Sequence, residues 1–244
     1  MIATKEILKA RETAEGSGAR VKRLFPSGQG DFHDPFVLLD EFFVDADAGF
    51  PDHPHRGFEA ITYMKEGSFR HRDNLGNDRE LGPGGVQRFT AGKGIVHAEM
   101  PGHGSVNRGF QLWINLPQRL KQTEPSYQAV ESDKIPELRK NGTRVRTIVG
   151  PGSPVRLNTD VLIQDITLSS GMKYKIALPE GMWGFVYVYA GRVDMLELEV
   201  RKGEAITIER GDHVEASTTN PAGILLVAGR PAGEPIRLNG SFVE

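Results

Sequence analysis

The chain has 244 residues, 38% of them hydrophobic, and its 30 basic and 32 acidic residues leave a formal net charge of -2. That is enough apolar material for one large core or two small ones, and the balance of charge argues against a direct nucleic-acid surface or a polybasic membrane patch. The absence of cysteine excludes disulfides, zinc fingers and thiol catalysis.

From the N-terminus, Met1-Ile-Ala-Thr-Lys-Glu carries no hydrophobic signal region, and apolar runs such as Ile224 to Ala228 are too short to span a bilayer. The expectation is a soluble, cytoplasmic protein. Short runs with strand character follow in order: Phe36-Val-Leu-Leu, Ala60-Ile-Thr-Tyr-Met and Phe110-Gln-Leu-Trp-Ile-Asn-Leu. The later ones are Leu162-Ile-Gln-Asp-Ile-Thr-Leu, Phe185-Val-Tyr-Val-Tyr, Ala205-Ile-Thr-Ile and Ile224-Leu-Leu-Val. Several alternate apolar with polar or β-branched residues, as half-buried strands do. Turn signals at Asn74-Leu-Gly-Asn, Gly82-Pro-Gly-Gly and Glu209-Arg-Gly-Asp space them as antiparallel meanders of an all-β barrel. The best helical candidate is a short charged stretch, Ser132 to Lys140. Asn141-Gly-Thr and Asn239-Gly-Ser match the glycosylation sequon but read as Asn-Gly turns.

A faint repeat divides the chain. Both halves place a strand and glycine before a glycine-rich turn and a further strand. The reading is two related β-barrels, residues 1–130 and 131–244, with the C-terminal tail a candidate to pack on the first. The junction lies near residues 125–142, where Pro125, Pro136, Asn141 and Gly142 stand among charges.

The chemistry concentrates in two motifs, His53-Pro54-His55 and His97-Ala98-Glu99. Residues two apart on a strand share a face, so each motif aims two side chains at one point. Three imidazoles and a carboxylate suit a redox-capable divalent metal. Seven histidines in 244 residues make a His-x-His arise by composition about 0.2 times and a His-x-Glu roughly once, so the first motif is the informative one. Read blandly, it is a solvated edge strand, consistent with Pro54. The carboxylate is left open by spacing: Glu59 follows the His-x-His and Glu99 follows the last histidine. His33, His71, His103 and His213 lack partners at ligand spacing and read as surface or satisfied core histidines. The second half has no His-x-His, so any metal belongs in the first barrel.

The order His-x-His, Glu59, strand, Gly67, glycine-rich turn, strand, His97 resembles a cupin barrel. The segments Glu15-Gly-Ser-Gly-Ala-Arg-Val, Asp34-Pro-Phe-Val-Leu-Leu-Asp-Glu-Phe, Pro51-Asp-His-Pro-His-Arg-Gly-Phe-Glu and Thr90-Ala-Gly-Lys-Gly-Ile-Val-His-Ala-Glu-Met go further. With Phe110-Gln-Leu-Trp-Ile-Asn-Leu-Pro they resemble the pirins and pirin-like bicupins. The likeness is dense over residues 10–130 and looser to the C-terminus.

This resemblance implies an all-β bicupin, two tandem jelly-roll-like cupin barrels, with the second barrel metal-free. It implies one mononuclear divalent metal, Fe(II) first, with Ni, Mn, Co, Cu or Zn as alternatives. The implied ligands are His53, His55, His97 and Glu99, which leaves Glu59 a supporting or structural part. Arg56 is read as a salt-bridge partner of Glu59 or another carboxylate. Gln111 and Trp113 are read as barrel core with the cavity as the other option, and Met100 and Phe50 as pocket or packing. The implied activity is a quercetin 2,3-dioxygenase-like cleavage of flavonols or related phenolics by dioxygen, releasing carbon monoxide, with Glu99 as general base. The alternative is a metal-binding, redox-sensitive regulatory module that engages a protein partner. A monomer, with no nucleic acid or membrane partner, completes the expectation.

Overall fold

The computed structural model describes residues 7–28, 30–102, 106–209 and 214–244. The chain forms two units that interleave along the sequence. One comprises Arg11–Ile135, Pro154–Thr159 and Ala232–Glu244; the other takes residues 7–10, Pro136–Ser153 and Asp160–Pro231.

Strand β1 (Ile7–Lys9) belongs to the second unit. The first unit is built from β2 (Arg11–Glu15), β3 (Ala19–Phe25), β4 (Phe36–Asp45), β5 (Phe50–His55), β6 (Phe58–Glu66) and β7 (Phe69–Asp73). It continues with β8 (Asp78–Leu81), β9 (Val86–Thr90), β10 (Ile95–Pro101), β11 (Val106–Asn115) and β12 (Ser126–Val130). A seven-stranded sheet runs β12-β9-β6-β11-β4-β3-β2, and a four-stranded sheet runs β5-β10-β7-β8. All the pairings are antiparallel, as in a jelly roll. Alternation decides what faces inward: in β7 Phe69, His71 and Asp73 are buried while Arg70 and Arg72 are exposed.

The second unit repeats the plan. Its strands are β13 (Glu137–Lys140), β14 (Thr143–Val149), β15 (Val161–Leu168), β16 (Lys173–Ile176), β17 (Trp183–Ala190), β18 (Arg192–Met195), β19 (Leu198–Arg201), β20 (Glu204–Ile208), β21 (Val214–Ser217) and β22 (Ala222–Gly229). They form a seven-stranded sheet, β1-β20-β17-β22-β15-β14-β13, and a four-stranded one, β16-β21-β18-β19. The tail supplies a small ribbon, β23 (Leu238–Asn239) with β24 (Phe242–Val243).

The helix expected over residues 132–140 does not form. A single 3-10 turn spans Ser132–Lys134 and β13 takes the rest, pairing Glu137 with Arg146 and Lys140 with Thr143. Pro136 restricts its predecessor to extended backbone, and Asn141-Gly142, both at positive φ, supplies the tight hairpin turn.

The two interiors differ in kind. The second unit is filled by a cluster of aliphatic and methionine side chains, among them Ile166, Val186, Val193, Val200, Ile206, Ile224 and Leu226. The first unit holds two smaller apolar clusters among its buried residues, one around Phe58, Phe89, Ile95 and Trp113 and one around Phe42, Met64 and Phe69. Buried polar side chains also lie in the first unit: Thr62, Gln87, His55, His71, His97 and Glu99.

Candidate metal centre

The first unit's small sheet brings the two motifs together by register. β5 and β10 pair so that His53 lies directly opposite His97 and Ile95 opposite His55. Pro54 sits between the histidines on β5, the edge strand of that sheet, where a missing N–H costs no ladder hydrogen bond. His53 and His55 both face the interior from this edge. Donor atoms of His53, His55 and His97 lie within 4.8 Å of one another, and the Nε2 atoms of His53 and His97 are 3.1 Å apart.

The other nitrogens are occupied. His53 Nδ1 donates to the Pro51 carbonyl at 2.7 Å and His55 Nδ1 donates to the Ser241 carbonyl at 3.2 Å. Holding the proton on Nδ1 leaves Nε2 with a free lone pair. Burial, then the neighbouring His53, pushes the His55 pKa down to about 3. Burial, then the neighbouring histidines, also holds His97 well below the usual imidazole range. Both rings are therefore neutral at physiological pH, the form in which imidazole binds metals. Converging neutral nitrogens of this kind fit a divalent cation of the nitrogen- and oxygen-binding class.

Glu99 falls in a second grouping, with His71 and His97, whose donor atoms again lie within 4.8 Å of one another. A bulge between His97 and Glu99 sets the carboxylate opposite Phe50 and beside His71. Three donors reach it across the barrel. Thr62 Oγ1 donates to Oε1 at 3.0 Å, Gln87 Nε2 donates to the same oxygen, and Gln111 Nε2 donates to Oε2 at 2.7 Å. These three come from one row of the large sheet, where Thr62 pairs with Gln87 on one side and Gln111 on the other. Each glutamine is itself oriented by an aromatic donor. Tyr127 O–H donates to Gln87 Oε1 at 3.1 Å, and Trp113 Nε1–H donates to Gln111 Oε1 at 3.3 Å. The row continues through Asp40 on β4 and Arg23 on β3, whose side chains form two hydrogen bonds at 2.9 and 2.7 Å.

His53, His55, Glu99, Gln111 and Trp113 all line one cavity of about 550 Å³, within the usual range for a small-molecule site. Phe42, Phe50, Phe69 and Leu38 supply its apolar walls, and Glu15, Arg23 and Asp40 its far polar edge.

Glu59 lies elsewhere. It is fully buried and accepts hydrogen bonds from Thr90 Oγ1, the Asn158 backbone and side chain, and the Thr159 backbone. Arg56 does not meet Glu59; it pairs with Glu244 at 3.2 Å on the exposed surface. Gln111, read mainly as core, faces the cavity. Phe50 also lines it, whereas Met100 is 38% exposed on the outer face of β10. His33 packs edge-on against Phe25, and His103 and His213 lie outside the described residues.

The residue that spacing missed is His71. It is completely buried, with Nδ1 3.3 Å from His97 Nδ1 and Nε2 2.9 Å from Asp73 Oδ2. The available signal was His71-Arg72-Asp73, another pair two apart on one face of a strand.

A bicupin with one polar, histidine-bearing barrel and one apolar barrel is thus defined by fold and site. The Pirin family model matches residues 18–114 and the Pirin C-terminal cupin domain model matches residues 163–244. The chain belongs to the pirin family. It is 41% identical to a pirin-like protein of Caulobacter vibrioides, over 98% of this chain and 91% of that one. It is 38% identical to pirin of Rattus norvegicus, over 96% and 84% of the two chains. Among solved structures, quercetin 2,3-dioxygenase of Acinetobacter baumannii superposes with a TM-score of 0.89 at 29% identity, covering 99% of this chain and 92% of that one. Among the described residues no helix is long and apolar enough to cross a membrane.

Proposed function

We propose that His53, His55, His97 and Glu99 hold one mononuclear divalent metal, Fe(II) in the first instance, and that the centre serves a dioxygenase acting on flavonols or related phenolics. The observation that carries this reading is the convergence of three imidazoles, two of which, His53 and His55, stand at the wall of a cavity of about 550 Å³ with apolar sides. The likeness to a quercetin 2,3-dioxygenase supports the same chemistry.

When bound, the metal would act as a Lewis acid that favours the anion of a coordinated hydroxyl. The residues do the rest. Glu99, which the donor row surrounds only with N–H and O–H groups, is the group placed to receive the substrate hydroxyl proton. Trp113 and Phe50 offer flat apolar surface to an aromatic ring. The Arg23–Asp40 pair at the far edge offers both a donor and an acceptor to ring hydroxyls. Dioxygen is the oxidant and the substrate supplies the electrons, so no nicotinamide or flavin is required.

The test is oxygen uptake with quercetin by protein loaded separately with Fe(II), Ni(II), Mn(II), Co(II) or Cu(II). Uptake with loss of the flavonol absorbance and release of carbon monoxide is expected. His97→Ala should abolish both uptake and metal retention. If every metal form is inert, or if His97→Ala matches the wild type, the dioxygenase reading fails.

A second reading, a regulatory module that engages a protein partner, is favoured by β10. His97 and Glu99 alternate there with Val96 and Met100, which are 41% and 38% exposed. One strand therefore joins the proposed metal to an outer surface where Met100 stands beside the exposed Arg70. Slower amide exchange across β10 in one metal redox state, with no oxygen uptake on any phenol, would favour this reading.

A further inference from the structure

The proposed ligand His97 is backed by a chain of two side chains that ends in a carboxylate. On β7 and β10 the register sets Asp73 opposite His97 and His71 opposite Glu99. The side chains of His71 and Asp73 are both shut off from solvent.

Asp73 is fixed by the hairpin that follows it. Its Oδ1 accepts the backbone N–H groups of Leu75 and Asn77 and the Asn77 side-chain amide, each at 3.0 Å. Its Oδ2 is left to Asn77 Nδ2 at 2.9 Å and to His71 Nε2 at 2.9 Å. Tyr127 stacks on the His71 ring, centroids 4.1 Å apart and planes 15° from parallel, which holds the ring in line.

With His71 taken as the neutral ring, one arrangement of hydrogens fits these contacts. A carboxylate only accepts, so His71 Nε2 carries a hydrogen. In the neutral ring the other nitrogen, Nδ1, is an acceptor. The only hydrogen that can fill the 3.3 Å gap between the two Nδ1 atoms therefore belongs to His97. That leaves His97 Nε2 bare, and it is the nitrogen that faces His53 Nε2.

We infer that Asp73 and His71 form a positioning relay that fixes His97 in its Nδ1–H tautomer and so presents Nε2 to the metal. Ligand histidines are commonly oriented by a carboxylate or carbonyl directly; here a second histidine is interposed, carrying the constraint from a surface hairpin to the centre. The consequence for metal affinity rests on the metal reading above, whereas the tautomer does not.

Asp73→Asn tests the direction of the chain. The backbone donors of Leu75 and Asn77 keep the amide oxygen where Oδ1 stands, so the NH2 group faces His71. Two N–H groups cannot face each other. His71 must turn its lone pair to the amide, His97 Nδ1 must then accept, and His97 Nε2 becomes protonated. His71→Gln keeps an acceptor for His97, whereas His71→Phe keeps a stacking ring and supplies none.

Two measurements are made, nickel(II) affinity by chelator competition and 15N-histidine NMR of the metal-free protein. Nickel(II) affinity should fall 10–100-fold in Asp73→Asn and in His71→Phe, the range for lost outer partners of a ligand. It should stay within a few-fold in His71→Gln, and adding His71→Gln to Asp73→Asn should restore it. The metal-free wild type should show His97 protonated at Nδ1, and Asp73→Asn should move the proton to Nε2. A wild-type His97 already protonated at Nε2 overturns the relay, and that result needs no variant to fold. Asp73→Asn affinity within twofold of wild type, with an unchanged tautomer, overturns it as well. Wild-type protein that binds no nickel(II) counts against the metal reading, and the NMR still decides the relay.

Discussion

Glu99 shows how a side chain is made into an acceptor and nothing else. Thr62, Gln87 and Gln111 all donate to it, and Tyr127 and Trp113 fix the two amides so that their NH2 ends face the carboxylate. A hydrogen bond to a charged group contributes roughly 1.5–3 kcal/mol, and losing one partner leaves the other buried and unpaired. Gln111→Leu keeps the approximate volume and removes one donor from Glu99 and one acceptor from Trp113. It should lower stability by about 1–3 kcal/mol, read as a fall in the urea midpoint at constant slope. Trp113→Phe, which leaves Gln111 free to turn, should lower it less. Equal losses in the two variants would show that the Gln111–Glu99 bond carries little.

At the scale of elements, Glu59 is a staple between β6 and a distant segment. It gathers the backbone N–H groups of Asn158 and Thr159 and the hydroxyl of Thr90. Glu59→Ala strands buried donors and should cost about 2–4 kcal/mol while leaving nickel(II) affinity unchanged; a comparable loss of affinity would return Glu59 to the metal. This division between the two glutamates was visible in the chain only through its likeness to pirins, because the Asn158 and Thr159 donors that hold Glu59 lie about 100 residues away. The strands themselves were plain, since alternation is a local signal. Their partners were not: a period of two does not say that Ile7–Lys9 pairs with Glu204–Ile206, or that Ser241 reaches His55. The polar row Gln87-Thr62-Gln111 likewise exists only once β9, β6 and β11 are in register. The charged run at 137–140 misled because its charges are those of an exposed edge strand and equally those of a solvated helix.

Each unit of the whole molecule carries a buried phenol that reports on its integrity. In the first, Tyr127 is raised above the ordinary phenol value by burial and then by the charge of Glu99. In the second, Tyr189 is raised by burial and then by Asp165, to which its hydroxyl donates. Free phenols ionise near pH 10. Above that pH the unfolded chain gives up protons that the folded chain still holds, so the unfolded state binds fewer protons and stability falls as pH rises. The loss begins at the unfolded value and continues to the raised folded ones, at up to about 1.4 kcal/mol per pH unit for each group. The urea midpoint should therefore drop steadily above pH 10, and Tyr127→Phe and Tyr189→Phe should each make the drop shallower. Phenolate absorbance followed along the same titration separates the units. If the two unfold as one cooperative system, removing either phenol leaves a single transition. If they unfold separately, Tyr189→Phe leaves the alkaline step that belongs to the first unit, and Tyr127→Phe leaves the other. A midpoint that stays flat to pH 11 in the wild type would mean that neither phenol is held in its protonated form by the fold.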